Sequence, residues 1–218
     1  MHKKRILIAG VCLSVAALAA TSRTHALGPV DAEIGLAYWN AETEATGSTG
    51  ENAAAPAGFG NVWLKNALGF GISRYEASPE GTLQGADSDF TAVDAKWRFL
   101  NATRNNFVAV GLGAEKVGIV DDSTTAARIV VEGRVSIKMV YVYGKGAYLP
   151  SLGDMTISGV TYDGKTGTEL EAGVAVHPIP LLSVYAAYKS NSVDLTSPIF
   201  GDVSLDNKGP VAGMIFSF

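Results

Sequence analysis

What most constrains this chain is a two-residue alternation of apolar and polar side chains, sustained over segments of about ten residues and interrupted by Gly, Asp, Asn, Ser and Pro. In 90–100, Val93, Ala95, Trp97 and Phe99 take one face while Asp94, Lys96 and Arg98 take the other. Ile129, Val131, Val135 and Ile137 oppose Arg128, Glu132, Arg134 and Lys138 in the same way. Leu170, Ala172, Val174 and Val176 oppose Glu169 and Glu171. A period of two is that of a strand whose faces meet different surroundings. No stretch after Ala26 reads as an amphipathic helix. The chain is therefore expected to be all-β.

Alternation alone does not say whether the apolar face meets a core or lipid. Strand length argues for lipid, since 9–11 residues tilted by about 45° cross the hydrocarbon layer, and closing the sheet leaves no unsatisfied edge. Aromatic residues near strand ends (Tyr38, Trp39, Trp97, Phe99, Tyr148, Tyr188) suit the two interfaces. Strands are expected at 31–41, 58–64, 67–77, 90–100, 106–118, 126–136, 139–149, 166–177, 181–191 and 206–218. The connections then alternate between short (65–66, 101–105, 137–138, 178–180) and long (42–57, 78–89, 119–125, 150–165, 192–205). Short turns at the periplasmic end and long loops outside is the habit of membrane barrels. The expected fold is an antiparallel transmembrane β-barrel of 8–10 strands with both termini periplasmic. Ten strands is preferred; eight would follow if 58–77 and 126–149 were each a single strand.

The N-terminus supplies an address. His2, Lys3, Lys4 and Arg5 precede an apolar run from Ile6 to Ala20, and Thr24-His25-Ala26 offers small residues at a cleavage site. Residues 1–26 are read as a cleaved secretory signal peptide and 27–218 as the barrel domain. Cleavage removes Cys12, the one cysteine, so no disulfide or thiolate site is expected. Removing Lys3, Lys4, Arg5 and Arg23 from 17 basic residues leaves 13 against 21 acidic ones, a net charge of −8. That acidity argues against nucleic acid as a partner.

From Val30-Asp31-Ala32-Glu33-Ile34-Gly35-Leu36-Ala37-Tyr38-Trp39 to Gly209-Pro210-Val211-Ala212-Gly213-Met214-Ile215-Phe216-Ser217-Phe218, the chain resembles small porin-like bacterial outer-membrane barrels. The terminal run, with Met214, Phe216 and Phe218 on one face, resembles the ending such barrels present to their insertion machinery. His177-Pro178-Ile179-Pro180-Leu181-Leu182 is similar to an inner-turn pattern of that group. The resemblance implies residence in the outer membrane of a Gram-negative cell, contact with its lipid and lipopolysaccharide, and delivery by periplasmic chaperones to the barrel-insertion machinery. It implies no cofactor and no particular activity.

Sorting charges by alternation sends Glu33, Asp94, Glu115, Glu132, Glu169 and Glu171 to the lumen, with Lys65, Lys96, Arg98, Arg128, Arg134, Lys138, Lys145 and Lys189. In a narrow barrel such charges are expected to pair and fill the interior. Gly111, Gly113, Gly144 and Gly146 read as lumen or bend positions. The outer loops collect Glu42, Glu44, Glu51, Glu76, Glu80, Asp87, Asp89, Asp121, Asp122, Asp154, Asp163, Asp194, Asp202 and Asp206. This rim would draw divalent cations, with Asp121-Asp122 the best local pair, although the spacing is not that of a calcium loop.

Gly159-Val160-Thr161-Tyr162-Asp163-Gly164-Lys165-Thr166 matches the phosphate-loop spelling, but an alternating run follows it where a helix would be needed. Omptin-type proteases and the outer-membrane phospholipases and acyl-modifying enzymes require a histidine near the outer rim or lipid interface. His177, the one histidine left after cleavage, is expected at an inner turn. The expected role is non-enzymatic: structure or surface contact through acidic outer loops. A narrow channel for small solutes or cations is the alternative. A soluble secreted ligand-binding barrel is another, and it would turn Trp97 and Phe99 inward.

Overall fold

The computed structural model describes residues 30–45, 48–50, 53–65, 67–103, 105–199 and 201–218. The signal-peptide and cleavage readings, Cys12 and Glu51 lie outside them. Ten long strands run in chain order: β1 Val30–Ala45, β2 Ala53–Leu64, β3 Leu68–Ala77, β4 Ser88–Thr103, β5 Asn106–Ile119, β6 Asp122–Ile137, β7 Val140–Leu149, β8 Val160–Ile179, β9 Leu182–Ser197 and β10 Gly201–Ser217. Each pairs antiparallel with its neighbours in sequence, and β1 pairs with β10 (Ile34 opposite Phe216, Tyr38 opposite Ala212), so the sheet closes. Closure satisfies every strand edge, which a sheet in lipid requires.

The range 58–77 holds two strands, and so does 126–149, because Lys65 and Lys138 take left-handed φ of 50° and 57° and turn the chain there. This corrects their expected place in the lumen: both lie exposed in tight turns. Four turns and the ends of β1 and β10 share one end of the barrel, where Ala32 and Phe218 exchange two backbone hydrogen bonds. We call it the turn end. The opposite, loop end carries the other five connections.

Several strands run further toward the loop end than their apolar stripe suggests. The long connections expected at 42–57, 119–125 and 192–205 are mostly strand. Between β5 and β6 only Val120 and Asp121 remain as a turn, with Val120 at φ 58° and its N–H donating to the Asp87 carbonyl. The strands continue because the alternation continues with its chemistry reversed. On β9, Val184, Ala186 and Tyr188 face outward, then Ser190, Ser192, Asp194 and Thr196; Lys189 and Asn191 face inward, then Val193 and Leu195. On β1 the outward series is Ile34, Leu36, Tyr38, then Asn40, Glu42, Glu44. On β3 it is Leu68, Phe70, Ile72, then Arg74, Glu76.

The outer wall therefore has an apolar belt below and a polar collar above. On β6 the belt spans Ala127–Ile137. At about 3.3 Å per residue and a tilt of about 45° those residues rise about 25 Å, the height of the apolar band of transmembrane barrels. Trp97 is 55% exposed and Phe99 45%, both outward, so the soluble alternative fails on its own requirement. An apolar exterior around a charged interior is stable with lipid outside it.

Candidate functional site: a lumen filled in three storeys

At the turn end the lumen is closed by alternating aromatic rings and cations. The Arg98 guanidinium lies 3.8 Å from the ring centre of Trp63 and 3.9 Å from that of Phe107. Arg134 follows, 4.5 Å from the Tyr141 ring, and Tyr141 packs against His177 with the rings tilted by 42° and their centres 5.0 Å apart. These side chains come from β2, β4, β5, β6, β7 and β8, so the stack crosses the lumen and ties its walls together. Cation–π contacts away from water are worth about 2 kcal/mol each. The His177 Nδ1 and Ser183 Oγ are 2.6 Å apart, across the β8–β9 turn.

The middle storey is a network of ion pairs. Arg128 is 1% exposed and meets three carboxylates: Asp94 at 3.1 Å, Glu115 at 2.6 Å and Glu169 at 2.9 Å. Glu169 also takes Lys189 at 2.5 Å and Lys145 at 3.3 Å. Glu171 accepts hydrogen bonds from the hydroxyls of Tyr75 (2.9 Å) and Tyr143 (2.8 Å). Lys96 donates to Glu132 at 2.7 Å and to Asn61 at 2.8 Å. Arg134 grips Glu33 with both terminal nitrogens, at 2.7 and 3.0 Å. Because β1 and β6 face each other across a ten-stranded ring, that pair is a strut spanning the lumen. With Lys65 and Lys138 in the turns, six bases (Lys96, Arg98, Arg128, Arg134, Lys145, Lys189) stand against six acids (Glu33, Asp94, Glu115, Glu132, Glu169, Glu171). Half-buried Asp31 lies on the same face of β1 nearer the turn end, so the charges nearly balance. Balance of this kind is what permits so many buried charges.

The loop-end storey is an ordinary apolar core. Phe90, Val117, Ile119, Leu149, Val193, Leu195 and Leu205 pack there, under Leu152 and Met155 from the β7–β8 connection. That connection folds as a hairpin: Met155–Ile157 pairs with Val160–Tyr162 across a turn at Ser158 (φ 52°) and Gly159 (φ 82°). The phosphate-loop spelling is thus a hairpin turn running into β8, with no helix behind it. Asp122 pins the hairpin. One of its carboxylate oxygens accepts the Thr156 N–H at 2.6 Å and the other the Ser123 N–H at 2.7 Å. These bonds hold its carboxyl below the usual carboxylate range, the Thr156 bond first.

A cavity of about 50 Å³ lies among the paired charges, lined by Asn61, Tyr75, Lys96, Glu132, Tyr143 and Glu171 among others. That is room for a few waters. Among the described residues, no three His, Cys, Asp or Glu side chains converge as a metal would need. Gly111 and Gly113 face inward, where a Cβ would meet Lys96 and Asp94. Gly144 and Gly146 face outward, because Tyr143 and Lys145 take the lumen side of β7. Trp63, Phe107 and Tyr141 belong to no motif in the sequence. Their signal was parity, since each occupies the strand face that carries the buried polar or small residues.

No family model matches the chain, and no curated protein matches it. Solved structures do. The outer membrane protease OmpT of Escherichia coli superposes with a TM-score of 0.60 at 12% identity, over 90% of this chain and 99% of that one. The fold is that of an outer-membrane β-barrel. At that identity the likeness carries the fold and not the protease. The attachment invasion locus protein Ail of Yersinia pestis (TM-score 0.34, 15% identity, 87% and 97% covered) and the toluene transporter TodX of P. putida (0.38, 10%, 88% and 90%) are too distant in shape to carry an argument.

Proposed function

We propose that this chain is a non-enzymatic outer-membrane barrel, a structural and surface-contact element with its turn end in the periplasm and its acidic collar outside. The filled lumen supports this reading above all. Rings and guanidinium groups, then paired acids and bases, then an apolar core fill the lumen, and the cavity among the paired charges is about 50 Å³. A solute path would need every storey to open. The enzymes weighed above use a histidine near the outer rim or lipid interface. His177, the one histidine among the described residues, faces the lumen at the turn end and bonds Ser183. The collar offers Glu42, Glu44, Asp194, Asp202 and Asp206 on strand walls rather than on loops, a fixed acidic surface for cations or surface partners.

The test is planar-bilayer recording of residues 27–218 refolded in detergent, alongside gel mobility with and without boiling. A heat-dependent mobility shift without unitary current is expected. Steady unitary currents would overturn the filled-lumen reading in favour of the narrow channel.

A further inference from the structure

Four adjacent strands, β3 to β6, pass from belt to collar in three register rows of different chemistry. The last belt row is Ile72, Val93, Ala114 and Ala127, each opposite the next. The next outward-facing row is Arg74, Thr91, Lys116 and Thr125, again each opposite the next. Beyond it stand Glu76, Asp89, Gly118 and Ser123, with the Asp89 carboxylate lying over Gly118. On this wall the order is hydrocarbon-like, then basic and hydroxylic, then acidic.

We propose that the row Arg74–Thr91–Lys116–Thr125 binds the phosphate of an anionic lipid in the leaflet around the loop end. The proposal rests on the outer-membrane reading above and deepens it by naming a lipid contact. Its chemistry matches where the row sits. A phosphorylated headgroup lies where hydrocarbon ends, and this row begins where the apolar belt ends. Arg74 and Lys116 flank one strand, so their backbones are about 10 Å apart and both long side chains reach one headgroup between them. Arg74 gives Nη2 to Glu76 at 2.7 Å and keeps other donors. Lys116 is exposed and has no ion-pair partner among the described residues. The hydroxyls of Thr91 and Thr125 add donors beside the two cations. Glu76 and Asp89 repel a phosphate that moves further out, which limits the site to one row.

Elsewhere on the collar the bases are differently placed: Lys165 shares a pocket with Asp194 and Asp202. Lys208, the first residue beyond the belt on β10, is held by Glu44 at 2.7 Å and faces Glu42 across the β1–β10 pair. That sector is net acidic, so charge complementarity selects the β3–β6 wall.

The experiment is native mass spectrometry of the refolded barrel in detergent, titrated with bis-phosphorylated lipid A, with the same lipid dephosphorylated, and with inorganic phosphate. The wild type should prefer the phosphorylated lipid by on the order of 30-fold, the preference two surface cations supply. R74A/K116A should bind both lipids alike, whereas K208A should keep the preference. Should the double variant fail to fold, K116E alone should abolish the preference. Retention of the preference in R74A/K116A, or in K116E, overturns the proposal. So does full displacement of the lipid by millimolar inorganic phosphate, which would mark a site for free anions. A wild type without a heat shift would overturn the barrel reading itself, a different result from a shifted barrel that ignores phosphate.

Discussion

The strut between Glu33 and Arg134 permits a sharp test of how the lumen is held. Both side chains are about 5–6% exposed and joined by two hydrogen bonds, so little solvent screening applies. At an effective dielectric of about 20 and a charge separation of about 4 Å, their attraction is about 4 kcal/mol. Removing one partner of such a buried pair costs about 3–5 kcal/mol, because the other charge stays desolvated. Arg134→Met is therefore expected to destabilise the barrel by about 3–5 kcal/mol, as is Glu33→Gln through the stranded guanidinium. The double variant leaves no stranded charge and should lose less than either single change. Its coupling energy should then exceed about 3 kcal/mol in magnitude, at or above the top of the 0.5–3 kcal/mol range seen for contacting residues. The assay is urea unfolding in lipid vesicles followed by tryptophan fluorescence, with heat-dependent gel mobility as a second reading of the folded state. Additive losses in the double variant, or single variants within about 0.5 kcal/mol of wild type, would refute the idea that this pair bridges opposite walls.

Three further outcomes follow from features elsewhere in the barrel. Leu112 is 68% exposed on the belt face of β5, so Leu112→Arg should cost about 2–4 kcal/mol in vesicles, whereas Thr125→Arg in the collar should cost about 0–1; equal losses would remove the belt. Asp122 holds the hairpin as a carboxylate whose folded value lies below its unfolded one. Its contribution is then present above the ordinary carboxylate range and lost as pH falls through the folded value. Proteolysis of the 150–159 connection should speed up only at strongly acid pH in the wild type, and in Asp122→Ala at neutral pH too. Val120 is β-branched at φ 58°, so Val120→Gly should raise the unfolding free energy by up to about 1 kcal/mol after the added chain entropy is counted.

Ten strands and their order were legible in the sequence because belt and lumen alternate cleanly at Val93 to Phe99 and Ile129 to Ile137. The loop ends were not. Reading for apolar-out alternation halts at Tyr188 on β9 and Tyr38 on β1, where the outward face turns polar and the inward face turns apolar. The period is unchanged there; only its sign flips, so 192–197 and 42–45 read as loop. Lys65 and Lys138 were misplaced for a different reason: each keeps the parity of a lumen residue but sits in a left-handed turn conformation that composition does not announce. Gly144 and Gly146 show the limit of treating small residues as lumen-facing, since parity with Tyr143 settles their side. The three storeys were half legible. The charges could be sorted by strand face, while the Trp63–Arg98–Phe107 contact requires knowing how side chains of β2, β4 and β5 converge inside the barrel.

The reversal of chemistry at the edge of the belt also fixes how deep the protein rides. Moving the barrel inward by one register row would carry Arg74, Lys116 and Lys208 into hydrocarbon, where a cation costs several kcal/mol near the midplane and less toward the edge. Moving it outward would strip lipid from Ile72, Val93 and Tyr38. Either displacement is resisted all round the wall, so the barrel behaves as a float with a painted waterline. In a bilayer thicker or thinner than its belt, the lipid would have to stretch or thin to meet it.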